Sequence, residues 1–228
     1  LKVSLETEIQ SIHDTGEQLR IEGQSPNGPV CETFDRVVVA TTATVAHRLT
    51  KNLDETLVST EQRDFLSSQD YAANIHLCYR IPRLAESPGV STIMDCGPGP
   101  HALAALSFHR SKEEAKSPQE KELISVYLSD EESLRTMNWS DEKLAAHGLE
   151  LAREVFPALP DGAQLFQLWR REEAIPVHAV GRYRAAVKFQ AAQAASQSRV
   201  RFCGDYLATA TLDGAIATGL ATCDDVAR

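Results

Sequence analysis

The chain has 228 residues, 43% of them hydrophobic, which suffices for one large domain or two small ones with a real core and excludes a disordered chain. A formal net charge of −9 argues against nucleic acid, because phosphate binding draws on clustered Lys and Arg. No apolar run reaches the roughly 18 residues of a spanning helix, so at most peripheral membrane contact is expected.

The opening stretch Lys2–Gly23 alternates apolar and polar residues on both sides of Asp14-Thr15-Gly16, the pattern of a hairpin. After the turn-rich "GQSPNGP" comes "FDRVVVATTATVAHRL", a short apolar strand over Val37–Ala40 followed by a helix that Thr42 or Thr44 can cap. A strand apolar on both faces belongs inside a parallel or mixed sheet. From Tyr71 to Leu128 the runs "ANIHLCYRI", "VSTIMDC", "ALAALSFHR" and "ELISVYLS" read as a mostly antiparallel sheet, broken by Pro/Gly segments and by the charged "SKEEAKSPQEKE". "SDEKLAAHGLELAREVFP" has Ser140 as a cap and helical spacing up to Pro157, "AQLFQLWRREEAIP" reads as a strand, and "GRYRAAVKFQAAQAAS" as a helix. The tail, "RVRFCGDYLATATLDGAIATGLATC", is a buried strand, a small-residue loop and a helix opening on Asp213-Gly214-Ala215.

These elements predict an α+β fold: a mixed, largely antiparallel sheet with helices on one side, plus a C-terminal strand and helix of α/β type. The expected domain boundaries are 1–50, 51–185 and 186–228. The five cysteines are odd in number and scattered, without C-x-x-C spacing, so neither disulfide framework nor zinc site is signalled, and a reducing, cytoplasmic compartment is expected. No signal peptide is read at the N-terminus. The chain starts at Leu1 in a strand-like pattern, as expected for a piece of a longer protein.

G-x-S-x-G, H-E-x-x-H, Walker and G-x-G-x-x-G motifs are all missing, and the seven His show no ligand spacing, so each reads as a surface or hydrogen-bonded structural residue and no metal is expected. The C-terminal segment remains. Gly204 admits close approach, Asp205 can accept from sugar-like hydroxyls, and Gly214, Ala215 and Gly219 bare one helix face. A helix N-terminus offers N–H groups to an electron-rich ligand. Tight helix-sheet packing explains the same glycines equally well.

The segment "RVRFCGDYLATATLDGAIATG" resembles the C-terminal flavin signature of the FAD-dependent amine oxidase superfamily. In the same order, "ETEIQSIHDTGEQLRIEG" resembles the strand pair on the adenine side of FAD, and "FDRVVVATTATVAHRL" the strand ending in Ala-Thr beside the cofactor. "LWRREEAIPVHAVGRYRAA" is similar to the W…A-[IM]-P-x-[YH]-x-V-G stretch of protoporphyrinogen oxidases. The resemblance implies that residues 1–50 and 186–228 belong to an FAD-binding domain and 51–185 to a substrate domain. It implies that Asp205 binds the ribityl or pyrophosphate side of FAD, next to Gly204, and that the N–H groups of Asp213, Gly214 and Ala215 face the flavin pyrimidine. Ile9 would meet the adenine through its backbone, and Ala40 and Thr41 would line the phosphates. Trp169, Ala174, Ile175 and Pro176 would approach the flavin ring, with Trp169, His178 and Tyr183 as substrate-cavity candidates.

The activity so implied is hydride transfer from a substrate C–H to flavin N5. "ATATLDG" replaces the Gly-rich, Pro-containing loop of protoporphyrinogen oxidases and sits closer to the general amine oxidase pattern, which leaves porphyrinogen, amine and polyene substrates open. An aromatic content of 6% favours a sizeable, apolar small molecule over an amine held in an aromatic cage. The N-terminal dinucleotide fingerprint belongs to an expected upstream Rossmann segment, without which this piece is expected to bind FAD weakly or not at all and to be inactive alone. The alternatives are a non-catalytic binding or assembly module that has lost the cofactor, and a domain whose glycines serve packing alone.

Overall fold

The structure is a computed structural model that describes residues 2–86, 88–94, 101–110 and 121–226, the side chains of 224–226 excepted. "CGPGPH" up to Pro100 and most of "SKEEAKSPQEKE" lie outside the described residues, as does Cys96. The chain divides into two compact units, residues 1–70 with 176–228, and residues 71–175.

In the first unit, β1 (Glu8–Asp14), β2 (Leu19–Ser25) and β3 (Gly28–Phe34) form an antiparallel meander. The expected hairpin therefore has a third strand, hidden in the sequence because "GPVCETF" begins on Gly-Pro and lacks clean alternation. Its position at the sheet edge tolerates Pro29, whose missing N–H costs no internal ladder bond. β4 (Val37–Val39) pairs in parallel with β10 (Val200–Phe202), Val39 opposite Phe202. α1 (Ala43–Thr50) follows β4 with Thr42 at its N-cap, although no side-chain cap bond forms there. α2 (Thr60–Ser67) carries a full capping box, Ser59 with Gln62.

α5 (Arg182–Ala195) starts at Gly181, whose φ of +90° is a left-handed conformation that glycine adopts without strain. Its Phe189 ring contacts Phe65 of α2 and Phe202 of β10. These contacts put the whole of α2 and α5 in the first unit, which comprises residues 1–70 and 176–228. α6 (Leu212–Val226) is the last helix described, with buried Thr222 bonded to the Phe202 carbonyl of β10 and buried Thr218 to the Gly204 backbone just past it.

The outer edge of β10 is closed by side chains. Gln193 accepts from the Phe202 N–H at 2.8 Å and donates to the Phe202 carbonyl at 3.1 Å, and Thr222 donates to that same carbonyl. Ser198 Oγ accepts from the Val200 N–H at 3.0 Å and donates to the Leu57 carbonyl at 2.7 Å. Side-chain groups thus replace the ladder partners that a neighbouring strand would supply.

The second unit is a five-stranded sheet in the order β6-β7-β8-β5-β9, formed by β5 (Tyr71–Pro82), β6 (Thr92–Met94), β7 (Leu103–Phe108), β8 (Lys121–Leu128) and β9 (Gln164–Pro176, whose last residue falls to the first unit). β5 with β8, β6 with β7, and β7 with β8 pair antiparallel. Alternation sends Ile75, Leu77, Tyr79 and Ile81 of β5 with Ile124, Val126 and Leu128 of β8 into one core, covered by α4 (Asp141–Val155). Ser140 caps α4 by accepting from the Lys143 N–H, as its sequence position predicts. α3 (Asp130–Thr136), too short to show a period, is pinned by Asp130 and Ser133, which accept from the Ala73 and Ile75 N–H groups. The whole is an α+β fold. Among the described residues, no helix is long and apolar enough to cross a membrane.

Gly148 marks where α4 meets the sheet. A Cβ there would lie 2.6 Å from Tyr79 Oη and 3.1 Å from Leu77 Cδ1. Tyr79 is fully buried and donates to the Ala145 carbonyl at 2.8 Å, so its ring cannot retreat without losing that bond. Gly148→Ala gains about 1 kcal/mol of helix propensity, yet the overpacking of about 1–3 kcal/mol wins. We expect a lower urea midpoint for this variant at unchanged m-value.

Candidate functional site

β4 and β10 run in parallel and end level, so Ala40-Thr41 and Cys203-Gly204-Asp205 leave the sheet side by side. The carboxyl end of parallel strands is where α/β sheets place ligands, because loops diverge there and helix N-termini point inward. Asp205 opens a short 3-10 turn, Asp205–Leu207. Burial raises its carboxyl above the ordinary range, opposed by the backbone N–H groups of Tyr206 and Asp205 and by nearby His178. A Cβ on Gly204 would meet the Tyr206 ring at 2.5 Å, so this glycine makes room for the chain's own tyrosine. Its N–H donates to Thr218 Oγ1 of α6 at 3.0 Å.

The start of α6 differs from the expectation. Gly214 N–H donates to Thr211 Oγ1 at 3.2 Å and Ala215 N–H to the Thr211 carbonyl at 3.1 Å. Two of the three N–H groups expected to face a ligand are thus taken by the preceding loop. Gly214 is itself buried under that loop: a Cβ would stand 2.1 Å from the Thr209 carbonyl oxygen. Asp213 is exposed, and Gly219 opens onto free space. The sequence hints at this arrangement in "TATLDG", where Thr209 and Thr211 supply the local bonding groups, but only the folded turn shows it.

His178 and Tyr183 come together, their rings stacked with centroids 4.5 Å apart. Both His178 ring nitrogens are buried without a hydrogen-bond partner. Burial and the Arg182 charge lower its pKa, against the pull of Asp205. The ring is neutral at pH 7, one nitrogen a donor and the other an acceptor. Pro176, in the first unit, is buried, and Ala40 and Thr41 are exposed. Ile9 faces a cavity of about 620 Å³ on the meander with Ile21, Val30 and Phe34.

Trp169 belongs to the second unit, on the sheet face opposite the core. His76 stacks on it at 4.6 Å and on Tyr127 at 4.3 Å, a ring ladder across β9, β5 and β8. His76 Nε2 and His109 Nε2 each lie 2.8 Å from the buried Ser125 Oγ. The signal for this cluster is the alternation of "ANIHLCYRI", which puts His76 and Cys78 on the face away from the core. Burial, then Arg171 and His109, lower the His76 pKa to about 4. The unfolded imidazole takes its proton near the ordinary value of 6.5 whereas the folded one does so only at about 4, so stability falls as pH drops through that window. His76→Gln is expected to flatten the dependence of the unfolding midpoint between pH 6.5 and 5, a comparison the unaltered chain calibrates.

The chain matches the family model for flavin containing amine oxidoreductase over residues 1–227. It belongs to that family. No curated protein matches it. Among solved structures, this amine oxidoreductase chain is similar to a protein from Exiguobacterium sp. 255-15 described as a protoporphyrinogen oxidase, with 14% identity, a TM-score of 0.74, and 100% of this chain and 48% of that one covered. It is also similar to putrescine oxidase, as wild type bound to putrescine (16% identity, TM-score 0.64, 97% and 49% covered) and as a cofactor-binding redesign (14%, 0.63, 97% and 49%). At these identities the likeness is one of fold, and the chain spans about half the length of each.

Proposed function

We propose that the whole protein is an FAD-dependent oxidoreductase that removes a hydride from a substrate C–H bond, of protoporphyrinogen oxidase or amine oxidase type. The observation that carries this reading is the family match over residues 1–227. The residues fit the cofactor on one side: the parallel pair ends in Ala40-Thr41 and Gly204-Asp205, and His178 keeps two buried ring nitrogens without partners near Asp205. In this reading Asp205 accepts from the ribityl or pyrophosphate side, Ala40 and Thr41 line the phosphates, and the Asp213 N–H points to the pyrimidine edge. Ile9 and its apolar neighbours suit a flat heteroaromatic ring such as adenine.

When bound, FAD supplies the acceptor for the hydride, chemistry that no side chain provides. The chain's own share is orientation and exclusion of water. His178 offers one donor and one acceptor and is held flat by Tyr183. Trp169 and Pro176 approach the flavin ring in this reading, and residues 71–175 carry a sizeable, apolar substrate. In this reading the setting is cytoplasmic, which the absence of a disulfide among Cys31, Cys78, Cys203 and Cys223 supports.

A second reading, a binding module without cofactor, draws on the Gly214 and Ala215 N–H groups already bonded to Thr211. FAD bound to the unaltered full-length protein separates the two, since the second reading expects none, and Asp205→Ala then tests the site. The flavoenzyme reading expects at least tenfold weaker FAD retention with an unchanged fold by circular dichroism; equal retention would remove Asp205 from the site.

A further inference from the structure

The ring-bearing face of the second unit carries a group that orientation alone does not use. Ser125 is fully buried on β8, and its hydroxyl lies 2.8 Å from Nε2 of His76 on β5 and 2.8 Å from Nε2 of His109, just past β7. A serine hydroxyl has one hydrogen and two lone pairs, so its contacts constrain the tautomers on both sides. The competing acceptor nearby is the Cys78 sulfur, a buried thiol that stays protonated at neutral pH and accepts weakly. The Ser125 hydrogen therefore goes to one imidazole, and the other imidazole must donate its Nε2–H to Ser125 Oγ.

We propose that His76, Ser125 and His109 form a proton relay on the substrate-domain face. Its elementary step follows uptake of a proton at His109 Nδ1: His109 Nε2–H passes to Ser125 Oγ as Ser125 O–H passes to His76 Nε2, and His76 gives up its Nδ1–H, so that neither ring becomes an imidazolate; transfer in the other direction is the reverse. Each hydrogen bond exchanges donor for acceptor, no electrons move, and the net charge of the trio is unchanged. Uptake of a proton at the Nδ1 of one ring and release from the Nδ1 of the other carries one proton across the face.

The surroundings suit this task. The His76 ring is clamped between Trp169 and Tyr127, which fixes its plane. Arg171 and His109 both oppose a positive charge on His76, so the trio resists holding a second proton and favours passing one on. The relay rests on the proposed function in one respect: oxidation at a C–H next to an N–H or O–H releases a proton besides the hydride, and that proton needs an exit.

The test is long-range ¹H–¹⁵N spectroscopy of the histidines in the unaltered chain at pH 7. The expected result is opposite tautomers at His76 and His109, with both sets of ring shifts moved by Ser125→Ala and restored by Ser125→Thr. Identical tautomers, or rings that ignore Ser125→Ala, would overturn the relay. Ser107→Ala, on the same sheet face, controls for a general loss of fold. In the full-length protein, Ser125→Ala is expected to slow substrate-driven bleaching of the flavin at least threefold, and an unchanged rate counts against the relay. A full-length protein with no flavin band would instead defeat the oxidoreductase reading, and the tautomer result would still decide the relay.

Discussion

Gly214→Ala is expected to destabilise the chain by about 2–3 kcal/mol, although the same change in an open helix gains up to about 1 kcal/mol. The new Cβ would fall 2.1 Å from the Thr209 carbonyl oxygen and 2.9 Å from the Thr209 nitrogen, both backbone atoms that a rotamer change cannot move aside. Relief requires the 209–214 loop to lift, which breaks the bonds from the Gly214 and Ala215 N–H groups to Thr211. Gly219→Ala is the matched control, since nothing lies within 4 Å of its added Cβ. Urea unfolding should show the first variant losing stability and the second holding or gaining. Equal behaviour would mean that the loop does not cover Gly214 in solution.

The second large effect lies at Gln193. This residue is 6% exposed and satisfies both the N–H and the carbonyl of Phe202, itself 1% exposed. Gln193→Leu keeps the volume and leaves the buried Phe202 N–H without its acceptor, a loss of about 1–3 kcal/mol. The carbonyl retains Thr222, which limits the damage. Gln193→Glu keeps an acceptor for the N–H but sets a carboxylate oxygen against the Phe202 carbonyl. Burial raises such a carboxyl in the folded state, so its ionised form favours unfolding and the variant regains stability as pH falls and it protonates. At pH 8 the Glu variant should unfold at lower urea than the Leu variant, with the gap narrowing at acid pH. A pH-independent gap would contradict the bidentate contact.

Much of this arrangement is legible in the residues. Two-fold alternation in "ANIHLCYRI" and "ELISVYLS" marks β5 and β8, the continuous "VVV" marks the parallel strand β4, although Val38 leaves one of its faces exposed, and the Ser140 cap fixes the start of α4. What stays hidden depends on long-range partners. β3 becomes a strand only because β2 supplies its ladder, and α3 holds because its side chains bond the β5 backbone. Gln193 looks like an ordinary helix residue until Phe202, nine positions on, is brought against it. The glycines of "LDGAIATG" split between two fates that their common chemistry cannot distinguish: Gly214 lies under a loop and Gly219 in the open. Likewise the parallel strand pair is readable in the sequence, whereas the bonding of two α6 N–H groups to Thr211 is not.

The most direct test of the flavoenzyme assignment is the visible absorption spectrum of the full-length protein, before and after reduction by dithionite. Flavin bands that bleach on reduction are the predicted result. A colourless protein that cannot be reconstituted with FAD would contradict it and leave the binding module.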